Sequence, residues 1–243
     1  MSDKNKEIKK WGPDDFELEM TSVWSFPNRG NWATHDAKWR GNWSPYIPRN
    51  ILLRYSKEGD WVLDQFAGGG TTLVEAKLLN RNIIGMDINP VALKRCREKV
   101  KFKHEGANGI VKVSKCDARN LKPIPDESID LVCTHPPYAN IIHYSEGQDI
   151  PQDLSNFKFN DFLEQMKSVA SESYRVLKFG KFCAILMGDT RQKSHVIPLS
   201  FKTMQIFEEA GFKLKEIIMK EQHNCRATGY WKTNSIKYNF LLL

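Results

Sequence analysis

From residue 50 onward, short apolar runs alternate with longer stretches in which apolar side chains recur at every third or fourth position. Trp61–Phe66, Arg81–Asp87, Gly109–Ser114, Ile129–Thr134 and Lys181–Met187 read as strands. Thr71–Leu79 puts Leu73, Ala76, Lys77 and Leu79 near one side, and Pro90–Val100 opens on a proline, so both predict helices. Phe159–Leu177 repeats Phe162, Met166, Val169, Ala170, Tyr174 and Leu177 at helical spacing, and Phe179-Gly180 is expected to stop it. Ile197–Ala210 predicts a further helix, with Phe212–Lys220 and Tyr238–Leu243 as closing strands. The alternation predicts an α/β fold: a mostly parallel, seven-stranded sheet with helices on both faces. Ligands on such sheets sit beyond the carboxyl ends of the strands, where the strand order reverses. The residues just after each strand therefore carry the most information.

Before this pattern lies a polar N-terminal arm, residues 1–41, so residues 42–243 form the expected domain. Four of the seven tryptophans, Trp24, Trp32, Trp39 and Trp43, fall in residues 24–43 among Arg29, Lys38 and Arg40. The two readings are an arm packed on the domain and a surface for base stacking and phosphate contact. A net charge of +7 suits a polyanionic partner without requiring one. Five scattered cysteines with no C-x-x-C pair argue against a zinc site and a disulfide framework. No metal is expected. No apolar run reaches the roughly 18–20 residues that cross a bilayer, and the first residues lack an apolar signal core, so no membrane and a cytoplasmic setting are expected.

Three strand ends stand out. Residues 62–72, VLDQFAGGGTT, run from a strand through Gly68, Gly69 and Gly70 into a helix start at Thr71. The glycines permit a tight turn and the close approach of a ligand. No lysine sits where a P-loop needs one, and the spacing is not that of a dinucleotide loop. Asp87, in IIGMDINP, ends the second strand about twenty residues later, where a carboxylate can accept from ribose hydroxyls. It could instead cap the next helix, although Asn89 serves that purpose better. Asp117, in SKCDARN, follows the third strand and is either an acceptor for an adenine amino group or a solvated turn residue. Together the three describe an adenosine pocket without a pyrophosphate cradle, which fits S-adenosylmethionine.

A fourth strand end reads CTHPPYANI, residues 133–141. Pro136 and Pro137 lack an N–H and fix φ, so the chain leaves the strand stiff, with carbonyls aimed outward and Tyr138 beside them. FAGGGTT, GMDINP and THPPY resemble the motifs of the amino-type DNA methyltransferases, the N4-cytosine and N6-adenine enzymes. The similarity covers about residues 42–240 and is specific in combination. It implies a Rossmann-like methyltransferase fold and S-adenosylmethionine as cofactor. It also implies a cofactor set of Phe66, Ala67, Gly68, Gly69, Gly70, Thr71, Asp87, Ile88, Asp117 and Ala118. Residues 43–64 resemble the segment that helps hold the methionine end of the cofactor, which adds Pro45 and Ile47. Gln65 stands where the family usually has proline.

An exocyclic amine is a poor nucleophile because its lone pair is delocalised into the ring. Rigid acceptors on its N–H groups can turn that lone pair toward the methyl carbon. The resemblance implies that His135 and the Pro136 carbonyl accept from the amine and that Tyr138 stacks on the base. Thr134, His135, Pro136, Pro137 and Tyr138 are thus the catalytic candidates. Tyr138 could also simply cap the core, and Thr134 could replace His135 as acceptor. Histidine is unusual at its position, and only the neutral ring can accept, so activity is expected to fall below about pH 6.5. No Pro-Cys dipeptide exists, which disfavours carbon-5 cytosine chemistry.

Two irregular segments, 140–160 and 221–235, are candidates for base contact. Tyr144, Asn224, Arg226, Tyr230, Trp231 and Lys232 offer stacking and base-edge or phosphate contacts. The expected partner is double-stranded DNA with the target base flipped out of the duplex. A homodimer or a separate partner subunit both remain open. N4 of cytosine is slightly favoured over N6 of adenine. The competing readings are an RNA guanine-N2 methyltransferase and a cofactor-binding but catalytically silent partner subunit.

Overall fold

The computed structural model describes residues 8–145, 147–192, 195–223 and 232–235. In chain order these form β1 (Val23–Trp24), α1 (Tyr46–Tyr55), β2 (Trp61–Asp64), α2 (Thr71–Leu78), β3 (Asn82–Asp87), α3 (Pro90–Lys99), β4 (Val111–Lys115) and β5 (Ile129–Thr134). There follow α4 (Phe159–Val176), β6 (Leu177–Ile185), β7 (Thr190–Gln192), β8 (His195–Ile197), α5 (Leu199–Glu209) and β9 (Met219–Lys220).

Five parallel strands make the central sheet, in the order β4-β3-β2-β5-β6. All six residues of the interior strand β5 are buried, as expected of a parallel strand covered on both faces. From β2 the chain winds outward through β3 and β4, then returns to β5 on the other side of β2. The order reverses between β2 and β5, which opens a crevice at their carboxyl ends. The glycine loop leaves β2 and the double proline leaves β5, so the topology alone makes these two motifs neighbours.

The seven-stranded expectation is met by five strands in this sheet among the described residues. The segment expected as strand 212–220 pairs only at its end: β9 lies parallel to β1, and Met219 N–H donates to the Ser22 carbonyl at 2.8 Å. The strand that does form there has β1 as its partner. The strand expected over 238–243 lies outside the described residues.

Phe179-Gly180 does not stop the long helix. The helix α4 ends at Val176 and its chain continues directly as β6. Glu127 and Ser128 N–H groups donate to the carbonyls of Arg175 and Val176, so the entry to β5 caps the helix end that a glycine would otherwise cap. Gly180, at φ +73°, then lies within β6, where the pairing with β5 is irregular.

The arm is packed on the domain. Trp24, Trp32 and Trp43 are buried. Glu75, on α2 and fully buried, accepts from Trp32 Nε1 at 2.6 Å, contacts His35 Nε2 at 2.7 Å and accepts from Arg49 Nη1 at 2.8 Å. Two of these partners come from the arm and one from α1. Asp36 adds ion pairs to Arg95 and Lys99 on α3. Among the described residues no helix is long and apolar enough to cross a membrane, and no group of three or more His, Cys, Asp or Glu could hold a metal ion.

Candidate active site

One cavity lies in the crevice between β2 and β5. Phe66, Gly68, Asp87, Ile88, Asp117 and Ala118 line it, and so do His135, Pro137 and Tyr144. Trp39, Gly41, Gln65, Asn89, Cys116, Gln152, Asp153 and Leu154 complete the wall. The motifs that follow four different strands thus meet in one space.

Asp87 organises its floor. One carboxylate oxygen accepts from Gly68 N–H at 2.8 Å and the other from Asn89 N–H at 2.8 Å. Asn89 caps α3 by accepting from Val91 N–H, which leaves Asp87 facing the glycine loop. Burial pushes the Asp87 carboxyl up to about 6, and Asp64, buried behind it, also rises to about 6. Gly68 has φ +46°, in the left-handed region. A Cβ there would sit 3.1 Å from the Trp39 indole nitrogen.

Asp117 is held on both oxygens by Arg119, with Nε 2.9 Å from Oδ1 and Nη2 2.6 Å from Oδ2. Arg119 is tied in turn to Gln165 and to the Gln152 carbonyl. The carboxylate is fixed in plane, with its remaining lone pairs available at the wall. A carboxylate at each of two strand ends, apolar walls from Phe66, Ile88 and Ala118, and a loop free of Cβ at Gly68 match the chemistry of an adenosine.

The other cofactor candidates build the loop without lining the cavity. Ala67 N–H bonds to the Met86 carbonyl. Gly69 lies under the Asn42 side chain, which a Cβ would meet at 2.7 Å, and Thr71 donates to Asn42 at 2.6 Å. Gly70, at φ +76°, is the N-cap of α2. Pro45 begins α1, a helix the sequence pattern did not predict, and Ile47 is buried in the core behind it. Neither Pro45 nor Ile47 lines the cavity.

At the β5 end, Thr134 points away from the cavity. Its hydroxyl is buried, donates to Asp64 at 2.7 Å and does not line the cavity that His135 borders. Pro136 is buried and Pro137 borders the cavity. His135 Nε2 is 2.7 Å from the Tyr138 hydroxyl, and the Trp43 ring stacks on the imidazole at 5.3 Å and 25°. Arg29 holds this indole in place by donating to the carbonyls of Asn42 at 2.6 Å and Trp43 at 2.7 Å. Burial lowers the imidazole to about 4. The expected loss of neutral histidine near pH 6.5 is therefore corrected: the ring stays neutral far below that. Tyr138 packs against Gly188, where a Cβ would come within 2.7 Å of its ring.

Tyr144, expected at the nucleic acid, instead lines the cavity, and its ring stacks on Trp39 at 6.0 Å and 10°. Segment 140–160 therefore covers the cavity, through Tyr144, Gln152, Asp153 and Leu154. Beside it an open polar groove is lined by Arg40, Ile141, His143, Ser145, Gln148 and Asn156. Lys232 is exposed, whereas Asn224, Arg226, Tyr230 and Trp231 lie outside the described residues. Of the wall residues the sequence pattern missed, Trp39 was visible in the tryptophan cluster. Gln152, Asp153 and Leu154 carried no signal, because they reach the cavity through loop packing alone.

A DNA methylase family matches residues 1–98 and 129–239 of this chain, and a second, described as an RMKL-like methyltransferase domain, matches residues 51–179. The chain is 36% identical over 91 residues to the type II methyltransferase M2.DpnII of Streptococcus pneumoniae, a match covering 36% of this chain and 32% of that protein. It is 36% identical over 100 residues to the tRNA (guanine(10)-N2)-dimethyltransferase of Methanothermobacter thermautotrophicus, covering 41% and 28%. The chain thus matches about a third of the length of these relatives. Among solved structures, the [4+2]-cyclase SpnF superposes with a TM-score of 0.51 at 19% identity, over 73% of this chain and 62% of that one, a likeness of fold. With the glycine loop, Asp87 and the double proline gathered in one crevice, the chain belongs to the DNA methylase family, the amino-methyltransferases that use S-adenosylmethionine.

Proposed function

We propose that this chain transfers a methyl group from S-adenosylmethionine to an exocyclic amino group of a DNA base, within a short specific sequence as in restriction–modification. N4 of cytosine is slightly favoured over N6 of adenine. The observation that carries this reading is the single cavity bordered by Phe66, Gly68, Asp87 and Asp117 on one side and by His135 and Pro137 on the other. Bound S-adenosylmethionine supplies the electrophilic methyl carbon. The Asp87 carboxylate accepts from the ribose and Asp117 faces the adenine. The corner at Pro136-Pro137 aims a rigid carbonyl at the target amine, and no reorganisation is needed when charge develops. A double-stranded substrate must present its base flipped, and the groove at Arg40 and His143 offers donors to the adjoining backbone.

An RNA guanine-N2 methyltransferase is the second reading, supported by the match to the tRNA enzyme at the same identity and over a similar length. Labelled cofactor incubated with DNA, with RNA and with neither, followed by mass spectrometry of the product nucleosides, separates them. Label in N4-methylcytosine or N6-methyladenine supports the first reading and N2-methylguanine the second. Cofactor binding with no transfer to either nucleic acid defeats both and leaves a silent partner subunit.

Two expected results arise here. Gly188→Ala pushes a methyl group into the Tyr138 ring, so transfer is expected to fall about tenfold or more. Cofactor affinity, measured by calorimetry, should stay within about twofold, because Gly188 does not line the cavity. The pH profile follows Asp87. Its carboxyl is raised to about 6 by burial, and the charged form is the one that accepts from ribose. Cofactor affinity is therefore full above that pH and declines about tenfold per unit below it. The turnover of saturated enzyme has no histidine limb above about pH 5, since His135 titrates near 4. A titration of cofactor affinity that stays flat from pH 7.5 to 5 would remove Asp87 from the ribose.

A further inference from the structure

The contact between His135 and Tyr138 decides which of the imidazole nitrogens carries a proton. Nε2 lies 2.7 Å from the Tyr138 hydroxyl, and among the described residues no other hydrogen bond engages that hydroxyl. One proton is shared across the contact. A phenol is a far stronger acid than a neutral imidazole N–H, and an unprotonated imidazole nitrogen is a far better acceptor than a phenol oxygen. The O–H···N arrangement is thus the stronger of the two, and Tyr138 donates to Nε2. A neutral imidazole that accepts at Nε2 carries its own proton on Nδ1. Burial acts on both partners in the same sense: it lowers the imidazole to about 4 and raises the phenol. Neither group becomes charged near neutral pH.

The ring is also fixed in orientation. Trp43 stacks on it at 5.3 Å, and the Arg29 side chain holds the backbone of Asn42 and Trp43. Nδ1 has no hydrogen-bond partner among the described residues, while His135 borders the cavity that also holds Gly68 and Asp87. Thr134, the neighbouring hydroxyl, is committed to Asp64.

We propose that His135 presents an N–H donor, not an acceptor, to the target base, and selects bases in which an unprotonated ring nitrogen stands beside the amine. N3 of cytosine and N1 of adenine are such nitrogens. The amine itself is then held by the Pro136 carbonyl, and His135 sets the register of the ring. This inference rests on the proposed methyl transfer to a base amine. It reverses the role that the motif position implies for residue 135.

Two measurements test it. Long-range 1H–15N correlation spectra of the free protein, with and without the substitution Tyr138→Phe, report the His135 tautomer without any reaction. The Nδ1–H form is expected in the unaltered protein, and loss of that preference in Tyr138→Phe. The second measurement uses the product base named by mass spectrometry. A substrate is made in which C–H replaces the ring nitrogen beside the amine: 3-deazacytosine, 1-deazaadenine or 3-deazaguanine. The unaltered protein is expected to lose about tenfold or more in kcat/KM on this analogue. His135→Ala, slower on both substrates, should separate them by less than about twofold. Equal kcat/KM on both substrates for the unaltered protein, or an Nε2–H tautomer, overturns the proposal. No transfer to any nucleic acid overturns the functional reading and the base selection with it. The tautomer spectrum shows separately whether the donor itself is wrong.

Discussion

Glu75→Ala is expected to destabilise the chain by about 3–5 kcal/mol, the range for removing one partner of a buried ionic cluster. The carboxylate is fully buried and is shared by Trp32 Nε1, His35 Nε2 and Arg49 Nη1. Removing it leaves an indole N–H and an imidazole without their acceptor in a place water does not reach, and takes one acceptor from the partly exposed Arg49 guanidinium. Each orphan costs more than the bond it made. The damage should centre on the arm, because the side chains of Trp32 and His35 both hydrogen-bond to the domain through this carboxylate. A denaturant midpoint gives the loss, and limited proteolysis should move the first cleavage into residues 8–45. Glu75→Gln keeps one acceptor and is expected to fall between. A Glu75→Ala protein within about 1 kcal/mol of the parent would mean that the arm is held by its apolar contacts alone.

Asp87→Ala is expected to weaken S-adenosylmethionine binding on the order of a hundredfold or more, because hydrogen bonds to a charged acceptor each contribute about 1.5–3 kcal/mol. The carboxylate acts twice. It accepts from Gly68 and Asn89 and so sets the loop, and it borders the cavity where the ribose is proposed to sit. Its burial makes the charged form costly at neutral pH, as the rise to about 6 shows. Asp87→Asn keeps one acceptor and turns an NH2 group toward the other backbone N–H, so it should lose some thermal stability as well as most of the affinity. Titration calorimetry and a melting curve on the same sample separate the two effects. Full affinity in Asp87→Asn would show that the loop alone holds the cofactor.

The elements of the central sheet were legible because its strands are short, apolar and bounded by glycine, proline and asparagine. Ile129–Thr134 was predicted with its observed limits, and Asn89 caps α3 as its position suggests. Three things were not legible. The helix α1 begins at Pro45 without a side-chain cap, and Pro48 lies in its first turn, so the usual start signals are missing. The end of α4 is capped by residues 127–128, far away in sequence. The inward turn of Thr134 depends on a buried carboxylate on a neighbouring strand, which spacing cannot show. At the site the motif residues were readable, because strand ends converge by topology. The walls supplied by Trp39, Tyr144 and Gln152–Leu154 depend on how two loops fold back, and the shift of His135 depends on enclosure by Trp43 and Tyr138.

The pairing of β1 with β9 has a consequence for how the chain comes to be folded. Residues 23–24 receive their strand partner from residues 219–220, almost two hundred positions later. Trp24, buried in the main core, therefore waits for nearly the whole chain to be synthesised before its surroundings are complete. Contacts of such separation form late and slow the final step. During synthesis the segment around Trp24 stays without this partner, and its hydrophobic surface needs protection until residues 219–220 are made.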